Sequence, residues 1–230
     1  MCGVTASNDV DSIETAASAA PRSAAKPTLR ERQRELTRAA LLEGARQAFE
    51  ERGYSAVTVD DITSRAGTSR GTFYLHFTKA TVLQALLAEA FGLSGTTGEV
   101  ELPVNLAVAD LSTHDAVRAW LRSYVRVWQT HRLLARAWME GDVIDPELGA
   151  MTDRRIARAV DALSRRMLDN HQARGLNLDA EQARAEAALL DLQLQYFCYH
   201  VVGRRLDVSL EAGIDALARH WHASLQGPTP

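Results

Sequence analysis

Apolar side chains recur at helical spacing along most of the chain. Leu41, Leu42, Ala45, Ala48 and Phe49 are separated by one, three or four residues, which predicts an amphipathic helix. Gly53 follows as a helix-ending glycine. Alternating apolar and polar positions of useful length are absent from the sequence, as are internal repeats. The pattern therefore predicts an all-α fold.

Two short helices and the start of a longer one follow. Thr58 and Asp61 match a capping box, in which a hydroxyl and a carboxylate satisfy free N–H groups at a helix start. Gly67 ends that helix after little more than two turns. Ser69 caps the next helix, and Thr78 caps the longer one, which we expect to span residues 79–93.

Gly92 to Ser112 is glycine-rich and is the best linker candidate. Beyond it the pattern predicts five helices, giving about nine in total. Their expected starts are the pair Ser112 and Asp115, a point near residue 132, the pair Asp145 and Pro146, the pair Asp179 and Gln182, and Ser209. We predict a disordered tail over 1–28, a three-helix domain over 29–78, which we call the head, and a second helical domain over 79–227, which we call the body.

Two short helices joined at a glycine are typical of a helix-turn-helix, whose second helix enters the major groove of DNA. Residues 53–83 read GYSAVTVDDITSRAGTSRGTFYLHFTKATVL. This stretch resembles the TetR family of transcriptional regulators, and the six helices expected after it agree with that family. Three positions depart from the family pattern: Thr63 replaces an alanine, Thr68 replaces a small apolar residue, and Ala80 replaces a lysine, while Lys79 lies one position earlier.

The resemblance implies which residues contact DNA. Arg70, Gly71 and Thr72 face base edges, and other contacts go to phosphates; the whole expected set is Thr58, Thr68, Ser69, Arg70, Gly71, Thr72, Tyr74, His76 and Lys79. The expected core of the head is Phe49, Ile62, Ala66, Phe73 and Phe77. Alternatives remain: Thr58 as a cap only, Tyr74 as a core residue with a surface hydroxyl, and His76 as a packed histidine.

Residues 183–202 are apolar nearly all round, so that helix must bury two faces. One face packs in its own chain and the other, with the last helix, faces a second copy; the alternative is a fully internal helix. The candidate interface residues are Leu194, Val201, Ile214, Leu217 and Trp221.

Aromatic residues at helical spacing suggest a small-molecule pocket in the body. The candidate lining residues are Trp120, Tyr124, Trp128, Trp138, Met139, Gln193, Phe197 and His200. The same stripe also fits an ordinary core.

Charge and composition add little to this prediction. Residues 22–80 contain 11 Lys and Arg against 7 Asp and Glu, whereas residues 81–230 contain 15 against 19. A basic head on an acidic body suits a protein that presents one end to a polyanion, although an imbalance of this size also occurs as solvated surface. No apolar run is long enough to cross a membrane, and the first residues do not resemble a secretory signal, so we expect a cytoplasmic protein without a membrane partner.

Cys2 and Cys198 form no pair that indicates a disulfide or a metal site. The motifs of metal, serine or nucleotide chemistry are also absent from the sequence. We therefore expect no enzymatic activity, no catalytic residues, no metal and no cofactor. The resemblance instead implies a repressor that binds double-stranded operator DNA as a homodimer and is released by a small, largely apolar ligand. The alternative is a DNA-binding activator or architectural protein without an effector.

Overall fold

The computed structural model describes residues 28–90, 106 and 109–227, and this part is built from α-helices. They are α1 Leu29–Ala56, α2 Val59–Ala66, α3 Arg70–His76, α4 Lys79–Ala90, α5 His114–Thr130, α6 Arg132–Ile144, α7 Pro146–Ala173, α8 Ala180–Phe197 and α9 Leu210–Gln226. A π-helical turn, Cys198–Gly203, continues α8. The predicted all-α class is confirmed.

Short-range capping fixes where the helices of the head begin. Thr28 and Glu31 form a capping box at α1, and Thr58 and Asp61 form a second one at α2. Gly53 interrupts α1 with φ 73°, a left-handed value that favours glycine. The predicted break at this position is therefore confirmed, with one further helical turn after it.

Later helix starts agree with the sequence, with one correction. Asp145 caps α7 ahead of Pro146, Asp179 caps α8 and Ser209 caps α9, as predicted. The cap of α5 is Thr113 rather than Ser112, because the Thr113 hydroxyl accepts the Ala116 N–H at 3.1 Å. Both residues are small hydroxyl residues, so the sequence did not distinguish them.

Two apolar clusters organise the described helices. The head cluster contains residues of α1, α2, α3 and α4. It includes Phe49, Ile62, Phe73 and Phe77 as expected, and Ala66 is half-buried and packs against it. The body cluster joins α5, α7, α8 and α9 around residues such as Trp221.

Helix α6 belongs to both clusters. Leu134 and Trp138 of α6, with Leu148 of α7, pack in the head cluster, whereas Ala135 of α6 packs in the body cluster. The head core thus extends past residue 78, and the division at 78/79 stays a prediction. The tail over 1–27, the end of the fourth helix after residue 90 and most of the Gly92–Ser112 linker lie outside the described residues. None of the described helices is long and apolar enough to cross a membrane.

Candidate nucleic-acid interface

Helices α2 and α3 are joined by a tight turn at Gly67. Gly67 has φ 62° and ψ 38°, and the Thr68 N–H donates to the Thr63 carbonyl at 3.0 Å. Thr63 is buried, and its hydroxyl donates to the Asp60 carbonyl at 3.3 Å, which explains how a threonine is accommodated at the family's alanine position. The turn directs the chain straight into the cap of α3.

Helix α3 has one buried side and one free side. Phe73 is fully buried, and the Ser69 hydroxyl accepts the Thr72 N–H at 3.1 Å, which defines the helix start. Arg70, Gly71 and Tyr74 are exposed on the opposite side. Tyr74 is 58% exposed, which excludes its alternative role as a core residue.

Leu75 was missed by sequence reasoning. It is 79% exposed and lies next to Tyr74 on the free side of α3. A leucine in an apolar helix is ordinarily assigned to the core, but Leu75 lies four residues after Gly71, which is also exposed. This spacing was the available signal, since residues four apart share a helix face.

The other predicted contacts have local partners in the free protein. Thr58 is exposed and also caps α2, so its two interpretations are compatible. The Arg70 guanidinium lies 3.4 Å from the Asp60 carboxylate, and both side chains are more than half exposed. An exposed pair of this kind contributes only about 0–1 kcal/mol, so DNA could displace Asp60 at little cost. Thr68, Thr72 and His76 are half-buried.

Lys79 begins α4 and lies at the junction between head and body. Its Nζ is 4.1 Å from the centre of the Tyr54 ring. Burial lowers the pKa of Lys79, while Asp145 and Asp61 act in the opposite direction. Ala80 is buried in the head cluster, which accounts for a small residue at that position.

The residues predicted to line a pocket do not form one site. Trp120, Tyr124 and Trp128 are buried along one side of α5 in the body cluster, but Trp138 packs in the head cluster and its Nε1 donates to Thr152 at 3.0 Å. Met139, Phe197 and His200 are half-buried.

Gln193 also departs from the predicted pocket. It is exposed, and its side-chain oxygen lies 3.0 Å from His220 Nδ1. The glutamine that reaches the aromatic residues is Gln195, whose amide donates to the Tyr124 hydroxyl at 2.7 Å. Helical period alone did not separate the two, because α8 is apolar on most sides.

The predicted interface residues need a similar correction. Leu194, Ile214, Leu217 and Trp221 are buried inside one chain and offer almost no surface to a partner, and Val201 is half-buried. The exposed apolar residues of α8 are instead Leu189, Leu192 and Tyr196. We call these three residues the outer face of α8.

This arrangement defines a helix-turn-helix protein with an all-helical body. Residues 41–86 match the family described as "Bacterial regulatory proteins, tetR family". A stretch of 52 residues is 48% identical to the HTH-type transcriptional regulator TtgR of Pseudomonas putida, and equally to the probable regulator ArpR of that species. The match covers 22% of this chain and only 25% of each relative.

Solved structures agree over a greater length. GusR of Salmonella enterica covers 83% of this chain and 96% of its own, with a TM-score of 0.60 and 19% identity. A TetR-family regulator from Syntrophomonas wolfei covers 84% and 96%, with a TM-score of 0.62 and 17% identity. These likenesses concern the fold, and the matched helix-turn-helix supplies the sequence relationship. Over residues 41–86 the chain therefore resembles the TetR family, and its described helices share the fold of these solved structures.

Proposed function

We propose that this chain is a transcriptional repressor that binds double-stranded operator DNA as a homodimer and is released by a small, largely apolar effector. The observation that carries the DNA-binding part is the free side of α3, where Arg70, Gly71, Tyr74 and Leu75 are exposed beside a capped helix start. Arginine can pair with guanine through two hydrogen bonds, and an exposed leucine can contact a thymine methyl group. Gly71 lets the helix backbone approach the bases.

The homodimer is supported by the outer face of α8. Leu189, Leu192 and Tyr196 are 58%, 39% and 56% exposed, and they follow one another at three and four residues. An apolar stripe of this spacing on a single helix is suited to pairing with the same stripe of a second copy, which a twofold axis would bring together. Two heads would then read two half-sites about one DNA turn apart.

The effector is supported by two unpaired donors in the body. The indole N–H groups of Trp120 and Trp221 are buried without a hydrogen-bond partner among the described residues, and the two rings lie 5.3 Å apart. A buried unpaired donor costs about 1–3 kcal/mol. A ligand with an apolar frame and one acceptor oxygen would relieve that cost.

The same rings also favour the second candidate, a DNA-binding activator or architectural protein without an effector. Trp120 stacks on Tyr124 with 5.6 Å between ring centres, as in an ordinary packed core. A thermal-shift screen with lipophilic acceptor-bearing compounds separates the two functions. A ligand that raises Tm and releases DNA supports the repressor, since binding to the folded state must stabilise it. A screen in which DNA binding persists and no ligand raises Tm supports the second candidate.

The DNA-binding proposal is tested by selecting duplexes from a random pool and then measuring affinity for the selected site. Arg70→Ala should lower the specific affinity by about 1–3 kcal/mol if the side chain reads a base. Arg126→Ala removes an exposed arginine from α5 and is the matched control, which should change affinity little. If the protein selects no sequence at moderate salt, or if both variants lose affinity equally, the proposed base reading is wrong.

The proposed release mechanism is a shift between two arrangements of the heads. Helix α6 packs against α1 and α4 of the head and also against α7 of the body. A ligand that prefers one position of α6 would therefore favour one spacing of the heads. The shift that it can cause is limited by the difference between its affinities for the two arrangements.

A further inference from the structure

An open cleft of about 660 Å³ lies between the first turns of α6 and the end of the π-helical turn. Its lining contains Arg132 and Arg136 from α6, Arg204 and Arg205 from the segment after the turn, and one acidic residue, Glu140. Four arginines against one glutamate leave three uncompensated positive charges. We call this site the arginine cleft.

The arginines of this cleft are poorly paired by the protein itself. Arg136 Nε donates to Glu140 Oε1 at 2.9 Å. Within the part of the chain that the structure describes, Arg132, Arg204 and Arg205 have no carboxylate within ion-pair distance. By contrast, Arg118, Arg122, Arg155 and Arg184 of the same body each pair with an acidic side chain.

The backbone holds Arg205 in an unusual conformation, directly after the residue that closes the π-helical turn. The Arg204 N–H donates to the Tyr199 carbonyl at 2.8 Å, which closes the π-helical turn. Arg205 follows with φ 59°, and it is the one non-glycine residue with positive φ in the described ranges. This conformation costs about 1–2 kcal/mol for a residue with a side chain. Strained backbone and π-helical turns are both concentrated at binding sites.

We propose that the arginine cleft binds a small polyanion with at least two phosphate or carboxylate groups. Guanidinium groups pair with such oxyanions through two parallel hydrogen bonds, and several of them around one cleft can engage more than one group.

The cleft is separate from the DNA interface. Gly141 of α6 is the residue that packs against Tyr54 of the head, and a Cβ there would lie 2.8 Å from the Tyr54 ring. Arg132 precedes Gly141 by nine residues, or about 14 Å along the helix axis. None of the described residues that line the cleft belongs to α2 or α3, so the proposed ligand is a small anion rather than the DNA that we propose α3 to bind.

Glu140 connects the cleft to the head. Its carboxylate pairs with Arg136 and also lies against the α1 break, where a Cβ on Gly53 would meet Glu140 Oε2 at 2.7 Å. An anion that engages Arg136 competes with Glu140. Any consequence for DNA affinity rests on the proposed function, whereas anion binding does not.

The test is isothermal titration calorimetry of the full chain, without DNA, at fixed ionic strength. The probes are inorganic pyrophosphate and citrate, which separate a phosphate ligand from a carboxylate ligand. We expect saturable binding of one anion per chain by at least one probe. The double variant Arg132→Gln with Arg204→Gln should weaken that binding at least tenfold, a loss that corresponds to about 1.4 kcal/mol.

Matched controls separate a built site from general charge. Arg126→Gln with Arg154→Gln removes the same charge from exposed positions outside the cleft and should change affinity less than twofold. Glu140→Gln should strengthen binding severalfold, and more than Asp142→Asn, which removes one negative charge from α6 outside the lining. The helix content of every variant is checked by circular dichroism. If neither pyrophosphate nor citrate binds saturably, or if the two arginine double variants lose affinity equally, the arginine cleft is not an anion site. If Glu140→Gln and Asp142→Asn gain affinity equally, the anion does not compete with Glu140 for Arg136.

Discussion

Replacement of Tyr54 by phenylalanine tests the contact that joins the head to the body. The Tyr54 hydroxyl donates to the Asp145 carboxylate at 2.5 Å, and the Tyr54 ring stacks on Phe49 with 5.5 Å between centres. Asp145 also caps α7 by accepting the N–H groups of Glu147 and Leu148. Tyr54→Phe keeps the ring and its packing, so it removes one hydrogen bond without leaving a cavity.

The size of the effect follows from the partners that Asp145 keeps. A hydrogen bond to a charged group contributes about 1.5–3 kcal/mol. Because two backbone donors still solvate the carboxylate in the variant, we expect a loss in the lower part of that range, about 1.5–2 kcal/mol. For a chain of this length such a loss lowers Tm by about 3–8 °C.

Urea unfolding followed by circular dichroism measures this loss directly. The denaturant dependence of the unfolding free energy should be unchanged, since the variant and the parent expose almost the same surface on unfolding. Tyr74→Phe is the matched control: Tyr74 is largely exposed, and its variant should differ from the parent by less than about 0.5 kcal/mol. A loss below that value for Tyr54→Phe, or an equal loss for both variants, would refute the hydrogen bond as a stabilising link.

Three further outcomes are expected. Gly141→Ala should destabilise the chain by about 1–3 kcal/mol in urea unfolding, because its Cβ would lie 2.8 Å from the Tyr54 ring, whereas Gly71→Ala, whose Cβ would lie 3.7 Å from Ser69 Oγ, should not destabilise it. Leu189→Asp should convert the proposed dimer to monomers in sedimentation velocity, and a parent that is already monomeric contradicts the outer face of α8 as an interface. Burial opposes ionisation of Asp145, but the hydrogen bonds to its carboxylate outweigh burial and lower the pKa of Asp145. The stability that the ionised carboxylate contributes is therefore complete above about pH 4 and is lost as the pH falls through the folded-state pKa. Asp145→Asn should weaken this dependence of the unfolding free energy on acid pH.

Local chemistry made the head predictable from sequence. Thr58, Ser69 and Gly67 act on neighbours within a few residues, through caps and a left-handed turn, so their effects can be deduced without knowing the rest of the fold. The same reasoning placed Asp145 and Pro146 at the start of α7. The family resemblance covers this same local region, and the two sources of information agree there.

The faces of the body helices could not be deduced in the same way. On an apolar helix such as α8, period alone does not tell which side meets the chain itself, and Leu194 was therefore placed outside although it packs inside. Trp138 was grouped with Trp128 by residue type, although α6 presents Trp138 to the head. The π-helical turn adds an offset after Phe197 that no sequence period reveals.

The junction between head and body offers a route by which the proposed effector, bound in the body, could change how the head binds DNA. Asp145 closes α6, opens α7 and accepts the Tyr54 hydroxyl, while Glu147 accepts the hydroxyl of Thr78, which precedes α4. A displacement of the α6–α7 corner must therefore either break these hydrogen bonds or move α1 and α4 with it. Tyr54 precedes α2 and Thr78 follows α3, so the two hydrogen bonds hold the helix-turn-helix at both of its ends. Rotation of the head as a unit keeps both bonds and therefore costs less than breaking them. The proposed operator release thus requires no unfolding of α2 or α3, and hydrogen exchange in those helices should be unchanged by an effector that releases DNA.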